Sequence, residues 1–155
     1  LLITGGVSVG DYDFTVPALE DNGFETIFHK ISQKPGKPLL FTTKEGCTAF
    51  GLPGNPRAVL ICFFEYVRAY IMQAMGSDNP ILSQLWLPLA ASFNKKDDKR
   101  THFLAAAIQD GKATLLNVQG SHMLSSMTAA EGLVVLPPEA RVYEAGDMVE
   151  FHLIQ

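Results

Sequence analysis

The sequence is short of cysteine, of tryptophan and of charge. Its 155 residues include two cysteines and one tryptophan, and charged residues make up 18%. Cys47 and Cys62 cannot build a disulfide scaffold, and no CxxC pair points to zinc, so a reduced, cytoplasmic setting is the default. Basic residues are in the minority: 12 Lys and Arg against 16 Asp and Glu give a net charge of -4. Without an overall basic field, general binding to nucleic acid or to an anionic membrane surface is excluded. Internal repeats and low-complexity tracts are absent. The opening Leu1-Leu2-Ile3-Thr4-Gly5-Gly6 has neither the basic region nor the cleavage pattern of a signal peptide. It also begins without Met, inside an apolar run, which predicts that the first part of a domain lies upstream.

What is present is ample core material, with 47% hydrophobic residues. The length fits one ordinary domain or two small ones. Residues 1–4 read as a short buried strand ending at Gly5-Gly6. A helix is expected over residues 14–22, with Pro17 in its first turn and Asn22-Gly23 as its stop. Residues 24–31, 39–43 and 48–52 read as strands. Pro53-Gly54-Asn55-Pro56 opens the strongest helix, residues 57–75, whose apolar run is broken by Glu65, Arg68 and Gln73. Charges at mid-helix are costly in lipid, so this helix is assigned to the core or to a dimer interface, not to a membrane. Gly76-Ser77-Asp78-Asn79-Pro80 marks a boundary. Beyond it come short strands, over residues 85–93, 103–109, 113–118, 133–136 and 147–153, with Asp110-Gly111 as a hairpin signal. The expected architecture is an α/β domain over residues 1–77 and an all-β domain over residues 78–155.

Three segments carry chemistry. The Gly5-Gly6-Val7-Ser8-Val9-Gly10-Asp11 turn fails both familiar nucleotide fingerprints, because Asp11-Tyr12 stands where a P-loop needs Lys-Ser/Thr. A strand, a glycine-rich turn and a helix still set backbone N–H groups around an anion, and Ser8 adds a hydroxyl. Asp11 and Asp13 suit that role if Mg²⁺ lies between them and the anion; helix capping is the alternative. The second segment, residues 26–44, has no Asp or Glu but holds Lys30, Lys34, Lys37 and Lys44. On an extended strand Lys30 and Lys34 face the same way. Pro35-Gly36 and Pro38 make a stiff turn that holds like charges together. Such a cluster fits an oxyanion or phosphate, with a solvated basic hairpin as the alternative. Third, Gly54 and Asn55 sit between a strand end and a helix start, where Pro56 suits the first helical position and Asn55 the cap. Since ligands gather at strand C-terminal ends of open α/β sheets, these segments predict one composite anion pocket. The histidines show no metal-ligand spacing, Lys95-Lys96-Asp97-Asp98-Lys99-Arg100 reads as a solvated hairpin tip, and Ser121-His122 has no acidic partner for a triad.

Thr4-Gly5-Gly6-Val7-Ser8-Val9-Gly10-Asp11-Tyr12-Asp13, Lys34-Pro35-Gly36-Lys37-Pro38 and Gly51-Leu52-Pro53-Gly54-Asn55-Pro56, in that order, resemble the molybdopterin molybdenumtransferase family, that of MoeA and the gephyrin E-domain. Gln119-Gly120-Ser121-His122 extends the likeness beyond the boundary. The resemblance implies a truncated three-layer molybdopterin-binding domain of MogA type followed by a small β-barrel-like C-terminal domain. It implies insertion of molybdate into adenylylated molybdopterin with release of AMP, assisted by Mg²⁺; the cysteine content adds a cytoplasmic setting, and the apolar helix over residues 57–75 adds a homodimer. It assigns Asp13 to the nucleotide phosphate and metal, Lys30 and Lys34 to a functional lysine pair, and Lys34, Lys37 and Pro38 to the molybdate-holding turn. Arg100 and Ser121 match positions that complete the anion site.

Some residues depart from the family pattern. Ala58 stands where a serine hydroxyl often contributes, and His102 and Ala105 replace an acid and a second arginine near Arg100. The upstream domains are also missing from this sequence, which leads us to expect an exposed sheet edge or a changed oligomer, and a chain inactive on its own. The alternatives are a gephyrin-type scaffold, for which no receptor-binding insert is identifiable, and a molybdopterin adenylyltransferase, against which the all-β second half and the paired lysine turn count. Molybdate and tungstate are equally compatible with such a turn.

Overall fold

A computed structural model describes residues 1–7, 13–96, 99–116 and 125–154 of the chain. The first half contains strand β1 (Leu2–Thr4), helix α1 (Thr15–Asp21) and strands β2 (Glu25–His29), β3 (Gln33–Lys34), β4 (Leu40–Lys44) and β5 (Cys47–Leu52). Four of these strands form a sheet in the order β1-β5-β4-β2. β1 is parallel to β5, while β4 is antiparallel to both β5 and β2. β1, β5 and β2 therefore run the same way and end at the same edge.

Alternation along the strands sends side chains to two separate cores. Ala49 and Leu40 pack with Val7 and Leu19 on the face covered by α1. Phe50, Leu52 and Leu39 pack with Cys62 and Val67 on the opposite face. That second face is covered by one continuous helix made of α2 (Pro56–Cys62), a π-helical turn (Phe63–Val67) and α3 (Arg68–Ala74). Helix, sheet, helix is the three-layer arrangement expected. The long helix starts where Asn55 caps it: its Oδ1 accepts from the N–H of Arg57 at 3.0 Å and of Ala58 at 3.3 Å. Its last part is less buried than the sequence implies, since Tyr70, Ile71 and Met75 are exposed.

Among the described residues, the second half is all β apart from the short helix α4 (Ser125–Thr128). It comprises β6 (Ser83–Pro88), β7 (Phe93–Lys95), β8 (Thr101–Gln109), β9 (Lys112–Leu115), β10 (Gly132–Leu136), β11 (Arg141–Tyr143) and β12 (Met148–Leu153). Their main sheet has the order β3-β8-β10-β12-β6, with β9 on the other edge of β8 and β7 pairing with β11 apart. Asp110 and Gly111 both take positive φ, 49° and 72°, in the tight β8–β9 hairpin. The sheet curls until Leu89, just past β6, bridges Ala113 of β9. That single bridge is no continuous ladder, so the barrel stays open.

Two expectations need correction here. Lys30 does not continue an extended strand: β2 ends at His29 and Lys30 has φ 73°, so period-two alternation does not relate Lys30 to Lys34. Lys95 is not part of a solvated tip either. It is 1% exposed, because β7 pairs with β11, and its Nζ donates to the Pro138 carbonyl at 2.8 Å.

Candidate functional site

The C-terminal edge of the first sheet collects the glycine and lysine segments in register. Thr4 lies beside Leu52, Ile3 beside Gly51, Gly51 beside Leu40, and Leu40 beside His29. One residue further on, Gly5 leaves β1, Pro53-Gly54-Asn55 leaves β5, and Lys30 leaves β2. Gly5 N donates to Leu52 O at 2.9 Å, and a Cβ built on Gly54 would come within 3.8 Å of Gly5 Cα. The two glycine segments are thus immediate neighbours. Among the described residues, nothing lies within 4 Å of a Cβ built on Gly5.

The glycine turn is also tied down on its far side. Thr15, at the start of α1, donates from N to Gly6 O at 3.1 Å and from Oγ1 to Gly5 O at 3.2 Å. Gly6 has φ 66° and no room for a side chain, since a Cβ would sit 2.6 Å from Thr15 Oγ1. These bonds hold Asp13, two residues before Thr15, next to the turn. The α1 N-cap position is Phe14, which makes no side-chain capping bond. Val7 is buried under Gly51, and its carbonyl is hydrogen-bonded to His29 Nε2 at 2.8 Å.

The lysine turn leaves the sheet at Lys30 and returns at Leu39, where Lys30 N donates to Leu39 O and Ile31 N to Lys37 O, each at 2.9 Å. Between them β3 crosses to the second half and pairs in parallel with β8, Gln33 beside Thr101 and Lys34 beside His102. Ser32 Oγ donates to Lys99 O at 2.7 Å. This pairing brings Arg100, the residue before Thr101, to the lysine turn from far along the chain. Lys30, Lys34 and Lys37 are exposed, and Pro38 and Arg100 are half-buried. The turn rests on the long helix: Gln33 Nε2 donates to Pro35 O at 2.8 Å, Gln33 Oε1 accepts from Tyr66 OH, and Cys62 Sγ lies 3.8 Å from Gly36 O. Burial above all pushes the Cys62 thiol up to about 12, with nearby Glu65 adding to the effect against the Gln33 hydrogen bond. Burial likewise raises the Tyr66 hydroxyl. Both groups are therefore neutral donors at physiological pH.

This edge combines glycine turns, a carboxylate and a cluster of cations, and comparison with known proteins says which family builds it. Residues 1–73 match the model described as "Probable molybdopterin binding domain", and residues 87–154 match "MoeA C-terminal region (domain IV)". The chain belongs to the MoeA family. A molybdopterin molybdenumtransferase of Synechococcus elongatus is 34% identical over 97% of this chain and 37% of its own length. One from Bacillus subtilis is 32% identical over 100% of this chain and again 37% of its own. A crystal structure of the molybdopterin biosynthesis MoeA protein from Pyrococcus horikoshii superposes with a TM-score of 0.78 at 26% identity, covering 99% of this chain and 37% of that one. This MoeA-family chain thus spans little more than a third of the length of these relatives.

Of the site residues expected from sequence, Gly5, Gly6, Asp13, Lys30, Gly54 and Asn55 lie along one sheet edge. Lys34, Lys37, Pro38 and Arg100 meet at the turn that joins the halves of the MoeA-family fold. Asn55 spends its side-chain oxygen on the first-turn amides, which is the structural role weighed for it. Ser8, Asp11 and Ser121 lie outside the described residues. Among the described residues no group of three or more His, Cys, Asp or Glu gathers as a metal site. Sequence reasoning passed over Gln33 and His29. Gln33 is a neutral residue among lysines, and His29 has no ligand spacing, so the sequence carries no signal for either. Arg57 was also unmarked. Burial lowers its guanidinium, and its buried Nε has no hydrogen-bond partner among the described residues.

Proposed function

We propose that this chain supplies the oxyanion and nucleotide-phosphate part of a molybdopterin molybdenumtransferase, which inserts molybdate into adenylylated molybdopterin and releases AMP. The observation that carries this reading is the shared edge of β1, β5 and β2, which sets two glycine turns beside the lysine turn. The names of the relatives from Synechococcus elongatus and Bacillus subtilis support it.

Each segment has a task that follows from its chemistry. Lys34 and Lys37, with Arg100 beside them, neutralise a tetrahedral dianion. At about 4 Å one charge pair is worth about 1 kcal/mol in bulk water and ~4 kcal/mol near a protein surface, so several cations are needed for useful affinity. Gly5, Gly6 and Gly54, which carry no side chains, let phosphate oxygens approach the backbone. Lys30, at the end of β2, offsets phosphate charge and stabilises the charge that develops as the phosphoanhydride breaks. Asp13 fits Mg²⁺, because that ion is commonly held by one or two carboxylates plus substrate phosphates, and Asp13 is fixed beside the glycine turn. When bound, Mg²⁺ supplies further neutralisation of the phosphate oxygens.

We place the domain boundary between residues 77 and 78 and the protein in the cytoplasm, in line with two free cysteines. No helix among the described residues is long and apolar enough to cross a membrane. A second copy of the chain is the macromolecular partner we propose, and the exposed Tyr70, Ile71 and Met75 support it. The function is tested by replacing the matching segment of the Bacillus subtilis relative with this chain and measuring AMP release from adenylylated molybdopterin. Molybdate-dependent release that is lost with Asp13→Ala or Lys34→Ala is expected. Release unaffected by both substitutions contradicts the assignment.

A further inference from the structure

We infer that Gln33 is the positioning residue of the lysine turn, locked by Tyr66 and Cys62 of the long helix, and that it sets the oxyanion affinity without touching the anion. The inference rests on the oxyanion role proposed above for Lys34 and Lys37.

Gln33 is 2% exposed, and a buried amide is costly unless it is hydrogen-bonded. Its bonds go to the turn and to the helix beneath it. Nε2 donates to Pro35 O at 2.8 Å and lies 3.6 Å from Cys62 Sγ, while Oε1 accepts from Tyr66 OH. Cys62 Sγ in turn faces Gly36 O at 3.8 Å. The carbonyls of both residues between Lys34 and Lys37 are thus held from below. Gly36 leaves no slack: at φ 101° a Cβ would sit 2.4 Å from Gln33 Nε2 and 2.7 Å from Cys62 Sγ. An apolar side chain could fill the same volume, but it could neither hold the Pro35 carbonyl nor donate to the Cys62 sulfur that faces Gly36 O.

The π-helical turn explains how the anchor is referenced to the whole molecule. Its consecutive residues Glu65 and Tyr66 reach different partners, His152 of β12 and Gln33 of β3. π-Turns recur at functional sites because they re-aim side chains within a helix. Here one turn sets the floor of the lysine turn relative to both sheets. The raised Cys62 and Tyr66 keep this network neutral, so it does not compete with the lysines for the anion.

The test compares Gln33→Met, which keeps length but loses the amide, with Tyr66→Phe and Lys34→Ala. Molybdate affinity is read by calorimetry on folded protein, and amide hydrogen exchange is read at Gly36, Lys37 and the remote Ala113. A merely structural role would lower the unfolding midpoint and leave the affinity of the folded protein unchanged. We expect Gln33→Met to weaken molybdate binding by about tenfold, with faster exchange at Gly36 and Lys37 but not at Ala113. Unchanged affinity in Gln33→Met, with binding lost in Lys34→Ala, overturns the positioning role while the oxyanion site stands. Wild-type binding that survives Lys34→Ala contradicts the oxyanion site and the inference together. If Gln33→Met does not fold, Tyr66→Phe decides in its place, and unchanged affinity there overturns the inference.

Discussion

Gly51 sits where β5 passes beneath the glycine turn, and a methyl group there would lie 2.6 Å from Val7 Cγ1 and 3.0 Å from Leu40 Cβ. Both neighbours are buried, so neither can give way freely. Gly51→Ala should therefore destabilise the chain by about 1–3 kcal/mol, the usual cost of overpacking. It should also shift Val7, whose carbonyl is bonded to His29. Urea denaturation checks the first effect, and a changed His29 ring resonance checks the second. An unchanged midpoint would show that the turn is looser than its contacts imply. At this scale the sequence told charged residues from neutral ones and little more. Lys34, Lys37 and Asp13 drew attention because clustering like charges or aiming a carboxylate at an anion needs a reason. Gln33 and His29 did not, because their importance lies in partners that only the fold brings near.

Among the elements, helix α1, strands β1, β2, β4 and β5 and the long helix were legible from periodicity, Pro-Gly punctuation and the Asn55-Pro56 start. The Asp110-Gly111 hairpin was legible for the same local reason. Strands β3 and β11 were not. Each is too short to show alternation, and each exists because a distant strand, β8 or β7, offers it an edge. The π-helical turn was equally hidden, since it changes hydrogen-bond spacing and not composition. Lys30 marks the limit of pattern reading: alternation gave it a direction, and a left-handed backbone removed it. The pairing of β3 with β8 is what turns a local lysine cluster into a site that includes Arg100, and nothing local foretells it.

Across the whole molecule, the two halves are joined by that pairing, by a shared core of Ile61 with Phe103, Ala105 and Leu133, and by an ionic latch. His152 Nδ1 lies 2.9 Å from Glu65 on the helix, and its Nε2 lies 3.0 Å from Glu150 on its own strand, with the Phe103 ring against it. Burial alone would lower the imidazole, but hydrogen bonds and charge from Glu65 and Glu150 outweigh it and raise it above 6.5. A group raised in the folded state contributes fully below its unfolded value. That contribution is lost as pH rises through the folded one. The unfolding midpoint should therefore fall as pH rises above about 6.5, and fall less in His152→Gln. Parallel profiles for the two proteins would show that the latch does not hold the halves together.

The central claim is that the turn from Lys34 to Lys37 holds a tetrahedral oxyanion. Its most direct test is calorimetric titration of molybdate into this chain and into a Lys34→Ala, Lys37→Ala double variant that is shown to be folded. The account predicts binding to the wild type that the double variant loses. Equal binding by both proteins, or none by the wild type, would contradict it.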